Sequence, residues 1–238
     1  MSAKTASSLK FNLALILLLL TCGLWLNLSA YAQEPADESW EQLLSDNYQD
    51  LWRGYKDAGW PQGWSVEEGV LSRPEGGDDL MTVATYGDFI LELEWKISPG
   101  GNSGIMYRVS TGDDAPYLTG PEFQILDDSE HSDGEQVSTS AGSLYGLYAR
   151  ENDVSKPAGE WNLARIVVRG DRVEHWLNNK KVVECQVGSD DWNKRVKGSK
   201  FAKWEKFGKN REGHIALQDH NDPVWYRNIR VRRLDKRQ

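Results

Sequence analysis

Cysteine is nearly absent from this chain. The 238 residues contain two, and Cys22 falls in an N-terminal apolar run, so Cys185 stands alone in the remainder. An intramolecular disulfide is therefore excluded there in any compartment. Stability has to come from a buried core, which about 200 residues can build as one domain. Familiar catalytic signatures are also missing. No GxSxG elbow presents a serine, and Cys185 sits in a predicted strand, which disfavours Ser or Cys nucleophilic catalysis. The four histidines, His131, His175, His214 and His220, form no HExxH or His-x-His pair of the common zinc hydrolases. Gly100-Gly101-Asn102-Ser103-Gly104 lacks the lysine of a phosphate-binding loop, so it reads as a tight turn. Basic charge is in short supply: 28 Lys and Arg against 36 Asp and Glu leave a net −8. Nucleic acid and anionic lipid are poor partners for such a surface.

Long apolar runs are confined to the N-terminus. Lys4 and Lys10 precede the run at 11–20, and Ala30-Tyr31-Ala32 is small-x-small, the pattern of a secretory leader cut between Ala32 and Gln33. A membrane anchor is the competing reading, because 11–28 nearly spans a bilayer. Asn12, Thr21, Asn27 and Ser29 dilute that run, and no basic stop-transfer cluster follows it. Thr21 stands where a lipidated cysteine usually follows a small residue, which argues against lipidation of Cys22. The expected organisation is a leader at 1–32, a loosely held acidic segment at 33–48 with a helical-looking patch at 40–44, and a single domain at 49–238. The expected location is secreted or periplasmic, with no membrane span left after cleavage; oligomeric state is not legible.

What the chain has in quantity is tryptophan, 11 in all, and alternation with period two. Some indoles serve a core; others offer flat surfaces for sugar rings. Phe89, Leu91, Leu93, Trp95 and Ile97 share one strand face, and Glu92, Glu94 and Lys96 the other. The same parity separates Glu122, Gln124 and Leu126 from Phe123 and Ile125. Gly170-Asp171 and Asn178-Asn179 are hairpin turns, Asn tolerating the left-handed backbone they require. Many short strands and few helical periods predict an all-β fold, an antiparallel β-sandwich. The exception is 190–211, where basic residues interleave with Trp192, Phe201, Trp204 and Phe207. With the chain acidic overall, this reads as a solvated excursion with one short helix covering a sandwich edge.

Chemistry gathers at Gln218-Asp219-His220, which ends a short apolar strand before Asp222-Pro223. His220 suits proton transfer or a hydrogen-bonded turn, whereas His175, inside a hairpin strand, suits a structural role. Glu94 and Lys96, Arg108, and Glu122 with Gln124 could bring carboxylate, cation and amide to one concave face, with Asn102 and Ser103 as ligand hydrogen bonders. The acidic stretch 127–135 suggests calcium but lacks the EF-hand ligand ladder.

Six ordered segments strongly resemble the 3-keto-disaccharide hydrolase domain family, long known only as a domain of unknown function. They are residues 64–71 (WSVEEGVL), 86–96 (YGDFILELEWK), 101–105 (GNSGI), 120–127 (GPEFQILD), 156–162 (KPAGEWN) and 218–220 (QDH), and the resemblance runs from about 49 to 234. It departs at Asn221, where glycine is expected, and at the lysine-rich 203–209. The resemblance implies a concanavalin A-like jelly-roll of two antiparallel sheets with the ligand on the concave one. It also implies a carbohydrate substrate oxidised to a ketone at carbon 3. Such a ketone acidifies the hydrogen on carbon 2, so that proton abstraction, expulsion of the carbon 1 substituent and hydration become a route to cleavage. On this basis Glu122 and His220 are expected as acid and base, and Lys96 and Arg108 as charge stabilisers. Glu94, Asn102, Ser103, Gln124, Gln218, Asp219 and Trp225 are expected to bind substrate. No cofactor is certain, a divalent metal being one possible substitute for the cations. The alternatives are ordinary hydrolysis by a Glu94/Glu122 pair, a non-catalytic carbohydrate-binding jelly-roll, and a domain that holds partner proteins.

Overall fold

A computed structural model describes residues 40–74 and 76–234; the expected leader and the start of the 33–48 segment lie outside the described residues. In chain order the first strands are β1 (Glu41–Gln42), β2 (Trp52–Gly54), β3 (Ser65–Glu67), β4 (Val70–Arg73), β5 (Leu80–Thr82) and β6 (Phe89–Ile97). They are followed by β7 (Asn102–Val109), β8 (Glu122–Leu126), β9 (Asn162–Arg169), β10 (Arg172–Leu177), β11 (Lys180–Gln186), β12 (His214–Leu217) and β13 (Val224–Arg233). Among the described residues two α-helices accompany them, α1 (Tyr48–Leu51) and α2 (Asp190–Lys197). One antiparallel sheet runs β11-β10-β9-β6-β13-β4-β3 with β1 beside β13; the other runs β2-β5-β12-β7-β8. The chain is an all-β jelly-roll sandwich of two antiparallel sheets, as expected.

Strand parity explains the packing. Phe89, Leu91, Leu93, Trp95 and Ile97 of β6 are all at most 1 % exposed and meet Ile105, Tyr107, Phe123, Ile125, Ile215 and Leu217 from the five-stranded sheet. Each large side chain so buried contributes on the order of 1.5–3 kcal/mol, and a charge at Leu93 would break the arrangement. The β10–β11 turn has Asn178 and Asn179 at φ 48° and 65°, the left-handed pair that lets two strands reverse with their natural twist. His175 is fully buried in that hairpin. The Gly142 carbonyl can only accept, so Nδ1 donates to it (3.2 Å) and Nε2 accepts from the Tyr107 hydroxyl (3.1 Å). Burial pushes the imidazole down to about 4, so it serves the core as a neutral ring.

Two expectations change. Residues 40–48 are built into the sandwich rather than loosely held: the patch at 40–44 contains a strand whose Glu41 and Gln42 pair with Val231 and Arg230. The reason is Leu43, 1 % exposed, whose carbonyl accepts from Trp52 Nε1 at 2.7 Å. The basic segment 190–211 does carry one short α-helix, capped by Ser189 Oγ. It is less solvated than its lysines suggest, because Trp192, Phe201 and Phe207 are 3–5 % exposed and stack, Phe201 on Phe207 at 4.2 Å. Gly208, at φ +68°, turns the chain against Trp192, where a Cβ would approach to 2.7 Å. After α2, a 3-10 turn at Lys200–Lys203 carries Lys200 toward the five-stranded sheet. Among the described residues no helix is long and apolar enough to cross a membrane.

Candidate active site

The outward face of the five-stranded sheet forms the floor of a cleft. Inner positions of β7 and β8 are committed to the core, so parity turns Asn102, Gly104, Glu122 and Gln124 the other way. Gly104 pairs with Gln124 and Met106 with Glu122. Because residue 104 has no side chain, the Glu122 carboxyl leans across it: an added Cβ would overlap Oε1 and lie 2.8 Å from Cδ. Gln124 is fully buried. Turned so that its nitrogen faces two acceptors, its amide donates to Glu122 Oε1 and the Ser103 carbonyl, both at 3.1 Å. Gln218 follows β12 and donates its backbone N–H to Gly104 O at 2.9 Å. Among the described residues its buried side-chain Oε1 has no protein donor.

The walls come from distant segments. A cavity of about 350 Å³ is lined by the floor residues together with Asp133, Tyr145, Lys200 and His220, and by Tyr117, Phe201 and Trp204. Lys200 Nζ sits 4.3 Å from the Tyr145 ring centroid, and the Tyr145 hydroxyl donates to Asp133 Oδ2 at 2.9 Å. His220 is half exposed, with Nδ1 3.6 Å from Asp222 Oδ2, longer than a hydrogen bond. Asp222 Oδ2 also accepts from Asn102 N at 3.0 Å, tying the His220 turn to the floor. Desolvation pushes the Glu122 carboxyl up to about 8, with Asp79 and Asp133 adding to the rise and Lys200 opposing it. A carboxyl in that range is mostly protonated at neutral pH and can donate a proton. Nearby, burial also raises Asp79 to about 7.

Of the residues anticipated from sequence, Glu122, His220, Asn102, Gln124 and Gln218 meet in this cleft. The others do not. Glu94 lies on the outer face of the eight-stranded sheet, where Arg227 donates to it at 2.7 Å and Asn228 at 2.5 Å. Lys96 is on that face too, its Nζ 4.6 Å from the Trp225 ring centroid and 5.2 Å from Trp161. The whole core separates this face from Glu122, so a Glu94/Glu122 pair cannot flank one glycosidic bond. Arg108 donates to Gly87 O at 3.1 Å and Gly170 O at 2.8 Å, spending its guanidinium on loop carbonyls at the sandwich edge. Ser103 points inward, its Oγ 2.8 Å from both Gln218 O and the Tyr226 hydroxyl. Asp219 forms an ion pair with the fully buried Arg73 and accepts from Gly77 N and Asn221 N. It holds the turn instead of facing the cleft.

Lys200, Tyr145, Asp133, Tyr117, Trp204 and Asp222 were not anticipated. For Lys200 and Trp204 the signal was present in the aromatic-basic run of 190–211 and for Asp133 in the acidic run of 127–135, but nothing local says which cleft they reach, and Tyr117, Tyr145 and Asp222 lie in neither run. The acidic run is spent on internal contacts: Asp127 accepts from Gly100 N and Ser129, and Asp128 pairs with Arg150. Among the described residues no three His, Cys, Asp or Glu side chains converge as metal ligands.

Comparison with known proteins adds to this geometry. A family model described as a 3-keto-alpha-glucoside-1,2-lyase-like domain matches residues 39–232. A Bacteroides thetaiotaomicron protein, a 3-keto-disaccharide hydrolase, is 36 % identical over 216 residues, covering 77 % of this chain and 74 % of the relative. A Parabacteroides distasonis crystal structure, provisionally named a glycosyl hydrolase, aligns with TM-score 0.77 at 32 % identity, over 83 % of this chain and 95 % of that one. A Bacillus subtilis protein with a galectin-like fold shares the fold alone, at TM-score 0.51 and 12 % identity over 83 % of this chain and 96 % of that one.

Proposed function

The chain belongs to the family of 3-keto-alpha-glucoside-1,2-lyase-like domains, and from that premise we propose that it cleaves the glycosidic bond of 3-keto-disaccharides in this cleft. The observation that carries the reading is Glu122, a desolvated carboxyl raised to about 8 that shares its cavity with Lys200 and His220. In this reading His220 takes the proton from carbon 2, the electrons of that C–H bond form a double bond between carbons 2 and 3, and the carbonyl π electrons move onto the ketone oxygen. Lys200 answers the developing enolate charge, the part that Lys96 and Arg108 are too far away to play. The enolate then re-forms the ketone, a double bond forms between carbons 1 and 2, and the bond from carbon 1 to the leaving oxygen breaks. Glu122 supplies that oxygen with its proton. Water adds across the double bond, its hydroxyl to carbon 1 and a proton to carbon 2, so the sum is hydrolysis with no change of oxidation state. Asn102 and Gln218 bind the hydroxyls, Gln124 holds the Glu122 carboxyl through its amide, and Asp222 holds His220. No step is routed through a metal.

The test is to incubate the protein with 3-keto-trehalose and with plain trehalose, with and without a chelator, beside Glu122→Gln and His220→Ala. Only the keto sugar should be consumed, and each variant should lose at least about 100-fold in rate. In D2O, the released keto sugar should carry deuterium at carbon 2 beyond that of product incubated alone. Parent-rate turnover by both variants, or equal cleavage of plain trehalose, overturns the reading. The expected leader supports action outside the cytoplasm; mass spectrometry of the mature chain should find it beginning at Gln33.

A further inference from the structure

Beside the polar cleft floor, the same cavity has a second, chemically different surface. Tyr117, in a 3-10 turn at Pro116–Leu118, and Trp204, after the Lys200–Lys203 turn, bring their rings to 5.4 Å with 42° between planes. Tyr117 is 40 % exposed, an unusual amount for a large aromatic among the described residues. Among the described residues neither its hydroxyl nor the Trp204 indole N–H has a protein hydrogen-bond partner.

The two segments are also locked together. Gly208 N donates to Thr119 O at 2.9 Å, and Lys206 Nζ bridges both Asp113 oxygens at 3.0 and 3.1 Å. Phe201 supports Trp204 edge-on at 5.2 Å. An aromatic pair held in advance, with apolar faces and free polar ends, suits a pyranose ring, whose C–H face stacks while its rim hydroxyls accept and donate. Lys200 Nζ lies 6.0 Å from the Trp204 ring centroid, so the platform begins where the proposed charge stabiliser ends.

We propose that Tyr117 and Trp204 form the subsite for the leaving sugar, making the enzyme selective for disaccharides over glycosides with small alkyl leaving groups. This rests on the functional reading above. The keto ring has to lie against Glu122 and His220, which leaves the platform to the ring beyond the scissile oxygen. Binding energy collected there lowers KM and can be spent on holding carbon 1 in place.

The experiment compares kcat/KM for 3-keto-trehalose and for methyl 3-keto-α-glucopyranoside in the parent, Trp204→Ala and Tyr117→Ala. The parent should favour the disaccharide. Each variant should lower the ratio of the two values, by about 10-fold for Trp204→Ala, chiefly through KM for the disaccharide. Tyr117→Ala, at a more exposed position, keeps the test decisive should Trp204→Ala fail to fold. An unchanged ratio, with both substrates losing equally, overturns the subsite and leaves the reaction standing. Turnover of neither substrate by the parent overturns both.

Discussion

Glu122 lies across Gly104 on the neighbouring strand, in space that any side chain at 104 would need. The contact couples a backbone position without chemistry to the one carboxyl on the cleft floor. Gly104→Ala should therefore fold, since the backbone there is not left-handed, while the Glu122 carboxyl is pushed off its position. The expected result is a loss of about 10- to 100-fold in kcat/KM with a thermal midpoint close to that of the parent. A collapse of the midpoint instead would mean that the glycine serves packing.

Glu122→Gln should change how stability depends on pH. The carboxyl titrates near 4.5 in an unfolded chain and near 8 when folded, so the folded state holds the proton more tightly. The contribution is fully present below pH 4.5 and is lost as pH rises through about 8. Urea unfolding across pH 4 to 9 should show the variant level with the parent at the acid end, gaining on it as pH rises from about 4.5 to about 8, and holding a constant lead beyond that. Asp79, raised from 3.8 to about 7, makes the parent decline in part of the same window, and Asp79→Asn should remove that part.

Lys200 pulls the Glu122 carboxyl down against its burial. In Lys200→Met the Glu122 titration should move up, carrying the alkaline limb of the kcat/KM profile to higher pH. The plateau should fall at least about 10-fold if the ammonium also faces the enolate. A lowered plateau with an unmoved limb would separate the two roles.

Asp219→Asn should cost stability before chemistry. Arg73 is fully buried and Asp219 only 7 % exposed. Removing the carboxylate charge leaves a buried guanidinium poorly compensated, typically about 3–5 kcal/mol. Chemical denaturation should register that loss, and activity measured well below the midpoint should fall far less than in Glu122→Gln.

On the opposite face of the sandwich, Lys96→Met should leave kcat/KM within about twofold of the parent. Its cation–π contacts with Trp161 and Trp225 make it a stability residue, worth about 0.5–1 kcal/mol at a partly exposed site. A large loss of turnover would return Lys96 to the active site.

Much of the fold was legible because its signals are local. The alternation from Phe89 to Ile97 marks which side of β6 is buried, and Asn178-Asn179 marks the reversal between β10 and β11. Glu122, Gln124, Asn102, Gln218 and His220 were legible as candidates because each lies outside the apolar parity of its strand or just beyond a strand end. Lys96 and Glu94 satisfy the same test and belong to a different surface. Parity says that a side chain faces out of a sheet and is silent on which sheet its strand has joined. Residues 40–48 looked like tether because their polar composition hid one decisive side chain, Leu43. Lys200 and Trp204 stayed hidden because a 3-10 turn after a short helix has no period that points anywhere.

The amino-acid sequence by itself determined the periods, the turns, the acidic balance, Cys185 as the one cysteine beyond the N-terminal apolar run, and a family resemblance covering nearly the whole domain. Each of these depends on a residue and its near neighbours along the chain. Only the tertiary structure decided that Glu122 would be desolvated and meet Lys200, that Asp219 would hold Arg73 and not a sugar, and that Lys96 would face away. Those outcomes depend on groups brought from distant strands and loops into one low-dielectric space. Desolvation and Coulomb energy are set by distance through that space and not by distance along the chain.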